Sequence, residues 1–122
     1  MKIKLSNKSL RIRLSRSEME QFSKKGFLED QTVFGVNKLG YELNRIKSQD
    51  KLTADFNNEV IIMYVPNDYV NEMMTTDKVG FEDTYDFDGL TSLKLVFEKD
   101  LKCVGKEGED QGDRFENTKK AC

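Results

Sequence analysis

Residues 9–22 read SLRIRLSRSEMEQF, and residues 60–73 read VIIMYVPNDYVNEM. In the first stretch Leu10, Ile12 and Leu14 alternate with Arg11 and Arg13, the two-residue period of a strand with one buried and one polar face. The alternation breaks at Ser15-Arg16-Ser17-Glu18, a capping box in which the Ser15 hydroxyl accepts from a helix-start amide while Glu18 reaches back. Met19 and Phe22 then fall three apart, as on one face of a short helix, and Gly26 is placed to end it. The second stretch repeats the first at an offset of 51. Ile61, Met63 and Val65 stand for Leu10, Ile12 and Leu14. Pro66, suited to a first helical turn, stands for Ser15. Met73 stands for Phe22, Val79 for Leu28, and the turn Asn57-Asn58 for Ser6-Asn7.

Working outward, alternating apolar positions place strands near 2–5, 9–14, 27–34, 39–45, 51–56, 59–65, 79–87 and 91–98. Gly35-Val36-Asn37 and Asp88-Gly89 supply turns. Each half therefore reads strand, strand, helix, strand, strand, with one or two residues inserted after position 34. The expected fold class is α+β: one strand-rich antiparallel domain over residues 1–102, built from two duplicated ββαββ units at about 1–50 and 51–101. Eight short strands suggest a strongly curved sheet or an eight-stranded barrel, since closure removes exposed edges. Residues 103–122, rich in charge and glycine, read as a mobile C-terminal tail.

A chain of 122 residues fits one domain. Histidine is absent, which removes the commonest acid/base group and the commonest transition-metal ligand. No metal and no cofactor are expected. No apolar run is long enough to cross a membrane, and the start alternates where a signal peptide would be continuously apolar, so a cytoplasmic location is expected. In such a compartment Cys103 and Cys122 read as free thiols.

Charge is unevenly spread. Residues 1–50 hold eleven Lys and Arg against six Asp and Glu, whereas residues 51–100 hold four against eleven. That asymmetry suits pairing within the molecule or between copies. The basic half lacks the density and interleaved aromatics of a nucleic-acid binder, so no nucleic acid is expected as a partner, and no membrane. Lys2, Lys4, Arg11 and Arg13 would share the polar face of two neighbouring strands, and Lys94 joins them as a candidate anion-binding residue. Glu42, Glu82 and Glu98 are the candidate acidic partners across strands. Asp86-Phe87-Asp88-Gly89 has the start of a calcium-type loop without its closing glutamate, and reads as a hairpin turn. Met73-Met74 beside Tyr69 reads as core with a patch left for a partner.

The runs SLRIRLSRSEMEQF, GFLEDQTVFG and FEKDLKC resemble a family of short bacterial proteins with no assigned function. That likeness spans nearly the whole chain and implies no chemistry. The doubled architecture is also similar to the CYTH, or triphosphate-tunnel, superfamily. This resemblance implies inward Lys and Arg that bind a triphosphate, with a divalent metal on Glu-x-Glu-x-Lys. The first strand here is Lys2-Ile3-Lys4-Leu5, so that motif is missing. The expectation is therefore a non-enzymatic binding or interaction protein, using a charged sheet face for a small anionic ligand or a protein partner. Its alternatives are a diverged triphosphate-tunnel phosphohydrolase and a structural homo-oligomer.

Overall fold

The computed structural model describes residues 1–47, 49–101 and 115. Ten elements follow in the order read from the repeat: β1 (Lys2–Ser6), β2 (Ser9–Leu14), α1 (Arg16–Lys25), β3 (Phe27–Phe34) and β4 (Asn37–Ile46), then β5 (Thr53–Asn57), β6 (Val60–Pro66), α2 (Asn67–Thr75), β7 (Gly80–Asp86) and β8 (Ser92–Lys99). The capping box forms as expected, with the Ser15 hydroxyl accepting from the Glu18 amide and the Glu18 carboxylate from the Ser15 amide. Gly26 ends α1 at a φ of 73°, left-handed backbone that glycine adopts without strain. No helix among the described residues is long and apolar enough to cross a membrane.

The expected barrel or strongly curved sheet is replaced by two separate four-stranded sheets, ordered β1-β2-β8-β7 and β3-β4-β6-β5. Each repeat sends its first hairpin to one sheet and its second to the other. Four pairings are antiparallel, but the two central ones, β2 with β8 and β4 with β6, are parallel. Each hairpin thus meets its partner across the pseudo-repeat at the middle of a sheet. Inner faces are satisfied by packing across a shared core, so no hydrogen-bonded closure around a lumen is needed. The four edges that remain carry charge, for example Lys4 on β1, Glu29 on β3, Asp55 on β5 and Glu82 on β7, which discourages edge-to-edge pairing.

The registers locate the insertions in the second repeat. Lys2 opposite Arg13 corresponds to Thr53 opposite Tyr64, the offset of 51 seen in the sequence. Phe27 opposite Asn44, however, corresponds to Gly80 opposite Glu98, so two residues enter between α2 and β7 and one more in the last turn. Leu28 is therefore matched by Phe81, and Val79 lies outside β7.

Leu10, Ile12, Leu14, Leu95 and Phe97 of the first sheet and Leu43, Ile61, Met63 and Val65 of the second form the core, together with Met19 and Phe22 of α1 and Val70 and Met73 of α2. Phe22 meets Phe97 edge-to-face at 5.8 Å between ring centroids, a favoured aromatic geometry. Arg45 of β4 joins the two helices: its guanidinium donates to the Ser23 carbonyl at the end of α1 and to Asn67 and Asn71 of α2, at 2.8, 2.6 and 2.7 Å. Lys99 holds the equivalent place in the other sheet, opposite Leu14 as Arg45 is opposite Val65, and donates to the Thr76 carbonyl beyond α2. Cations at helix C-termini complement the exposed carbonyls there.

Candidate interaction site

The direction of the strands decides where the loops gather. β2 and β6 run into α1 and α2, and β8 and β4 run parallel to them. All four hairpin turns therefore lie at the end opposite the helices. An apolar side chain stands in or within two residues of each turn: Leu5, Phe34, Phe56 and Phe87. These are exposed, Phe34 by 62% and Phe56 by 63%, and Val33, Val36 and Leu90 are exposed beside them. Few large apolar side chains stand this open on a monomer without a partner.

At this end the sheets part to leave a cleft of about 320 Å³. Leu5, Leu10 and Leu93 line it from the first sheet, Leu39, Phe56 and Ile61 from the second, and Asp55 is its one charged neighbour. A second, wider groove between the first and last turns shares Phe87 and Leu93 with it, making the apolar surface continuous. The β3–β4 hairpin projects further, because Asn37, Lys38 and Leu39 extend beyond the start of β6. Charge-based reading missed this end. The available signal was an apolar residue in or within two residues of each turn, where polar residues normally predominate.

The last turn is self-contained. Asp88 accepts from the Leu90 and Thr91 amides at 2.8 and 2.7 Å and from the Thr91 hydroxyl at 3.0 Å. Asp86 accepts from the Asp88 and Gly89 amides. The backbone amides of Thr91 and Leu90 hold the Asp88 carboxyl below its ordinary value. The side-chain oxygens that resembled a calcium loop are thus engaged in shaping the hairpin.

The predicted cations lie on the outer face of the first sheet, opposite the core. Lys2 stands across from Arg13 and Lys4 across from Arg11, and Lys94 continues the row beside Ser9. Glu98 accepts from both Arg11 and Arg13, at 2.8 and 2.6 Å. Glu82 pairs with Lys94 and Asp100 with Lys2, each at 3.0 Å. Lys4 has no ion pair among the described residues. Glu42 is not brought to this face: it belongs to β4, in the other sheet, beside Glu29. The cations therefore line no tunnel.

Tyr69 stacks on Phe81 at 3.8 Å and donates to Asp83 at 2.7 Å. The Leu52 amide donates to the same carboxylate oxygen. Burial, followed by the Asp83 hydrogen bond, raises the Tyr69 phenol well above its ordinary value. Met73 is buried and Met74 half-exposed, so the expected α2 patch shrinks to one methionine. Cys103 and Cys122 lie outside the described residues, as does most of the expected tail. Phe115 is described, and packs between Lys99 and Arg16 at 5.1 and 5.7 Å.

Together these features define a class: a two-sheet α+β protein with helices at one end and an apolar opening among hairpin turns at the other. The chain matches the Family of unknown function (DUF7009) over residues 1–119 and belongs to it. Comparison with curated proteins and with solved structures returns no match.

Proposed function

We propose that this protein is a non-enzymatic interaction module that holds an apolar segment of a partner polypeptide in the cleft between its hairpin ends. The observation that carries this reading is the convergence of Leu5, Phe56 and Phe87 around an opening lined by leucine, isoleucine and phenylalanine, with Phe34 exposed on the hairpin that projects beside it. Burying one such aromatic or leucine side chain is worth about 1.5–3 kcal/mol. A small apolar molecule filling the cleft would leave Val33, Phe34 and Val36 in water on the projecting hairpin. A polypeptide lying across the end covers both, which favours a protein over a small ligand. The charged outer face supports this reading less directly, because its arginines are already paired with Glu98.

Selection of displayed random peptides on the immobilised protein tests the proposal. Peptides with aromatic and aliphatic anchors should be enriched, and their binding should be lost in Phe56→Asp, whose exposed position lets the variant fold. No enrichment, or binding indifferent to Phe56→Asp, would overturn it.

A further inference from the structure

The outer faces of the two sheets are unlike in charge. On the first, five cations (Lys2, Lys4, Arg11, Arg13 and Lys94) stand with three carboxylates, Glu82, Glu98 and Asp100. On the second, Glu29, Glu42 and Asp55 share one row across β3, β4 and β5, with Glu59 at the turn and Lys38 the one cation nearby. The shapes differ in the same sense. Gly40 carries no side chain above Val60, leaving a groove of about 220 Å³ rimmed by Glu29, Glu42 and Glu59. Long Lys and Arg side chains project from the basic face, and Lys4 among them has no ion pair within the described part of the chain.

We infer that the second copy of this chain is a partner, its basic face laid on the acidic face of the first, with lysine side chains entering the groove over Gly40. The contact is head-to-tail, so each copy keeps one face free and assembly continues unless the rotation closes a ring. Four strands about 4.8 Å apart, crossed by about six residues at about 3.3 Å, give a face of about 400 Å². A standard interface buries about 800 Å² per partner. Association is therefore weak and concentration-dependent, and its charge complementarity governs orientation more than strength. This contact does not use the cleft, and of the hairpin turns it touches only that between β5 and β6, at Glu59.

Sedimentation equilibrium at rising protein concentration tests it. The average mass should climb in about 0.1 M salt and return to the monomer in about 1 M, where the screening length falls from about 10 Å to about 3 Å. Lys4→Gln with Lys94→Gln disables the basic face, and Glu29→Gln with Glu42→Gln the acidic one; all four positions lie outside the core. Each double variant alone should stay monomeric, and their equimolar mixture should stop at a 1:1 dimer. A monomer in every condition, association indifferent to salt, or variants that assemble like the parent would overturn the inference. Assembly abolished by Phe56→Asp but not by the charge variants would place self-contact at the hairpin end, overturning this inference while sparing the proposed binding surface.

Discussion

Gly80→Ala isolates one contact on which β7 depends. A Cβ at Gly80 would lie 2.5 Å from the Phe97 carbonyl oxygen, 2.6 Å from Glu98 Cβ and 2.8 Å from Glu98 Cα. Two of these atoms belong to the backbone of β8, so no rotamer change relieves the clash. The strand must shift, carrying Phe81 off the Tyr69 ring and Asp83 away from the Leu52 amide. Overpacking of this kind costs about 1–3 kcal/mol, and a backbone obstacle places Gly80→Ala near the upper end. At about 4 °C per kcal/mol for a chain of this size, the melting temperature should fall by about 12 °C. The control is Gly40→Ala, whose Cβ would meet only the Val60 side chain, at 3.2 Å. There the alanine restricts the unfolded chain, which is worth about 0.4–1 kcal/mol in its favour, so the net change should be near zero. Thermal melts by circular dichroism read both. Equal midpoints for the two variants, or a Gly80→Ala protein more stable than the parent, would refute the reasoning.

Arg45→Ala removes three hydrogen bonds that tie both helices to β4, and should cost about 2–3 kcal/mol by urea titration. Arg45→Lys should recover little of it, because a single ammonium cannot reproduce the guanidinium fork. Tyr69→Phe should lower stability by about 1 kcal/mol at neutral pH, by loss of the hydrogen bond to Asp83. Because folding raises the phenol's pKa, its contribution is complete below the unfolded value of about 10 and declines as pH rises above it. The gap between parent and Tyr69→Phe should therefore narrow in alkaline urea titrations. Folding lowers the Asp88 carboxyl instead, so its contribution is present above the unfolded value of about 4 and fades as pH falls below it. Protection of the Leu90 and Thr91 amides, taken as exchange relative to an unstructured chain at the same pH, should fall there, and Asp88→Asn should remove most of that dependence.

Much of the fold was legible because its signals are local. Ser15 and Glu18 cap one helix, Gly26 ends it, and the alternation of Leu10, Ile12 and Leu14 and of Ile61, Met63 and Val65 marks the central strands. Hairpins are likewise local, as Asp88-Gly89 shows. Which hairpin lies beside which is not local. The parallel pairing of β2 with β8 joins residues more than eighty positions apart, and nothing in a two-residue period distinguishes a neighbour in the same repeat from one in the other. The same limit hid the apolar hairpin end. Lys2, Lys4, Arg11 and Arg13 could be placed on one face by counting, whereas Leu5, Phe56 and Phe87 come together only once strand directions are known. Glu42 was misplaced for that reason: its charge suited the basic strands, but its hairpin belongs to the other sheet.

Titration of the isotope-labelled protein with 1-anilinonaphthalene-8-sulfonate, followed by amide chemical shifts, tests the central claim most directly, because this ion offers an apolar body to the cleft and a sulfonate to the cationic face. The account predicts shifts concentrated at Leu5, Leu39, Phe56, Phe87 and Leu93. Shifts centred on Arg11, Arg13 and Lys94, with the hairpin end unmoved, would contradict it.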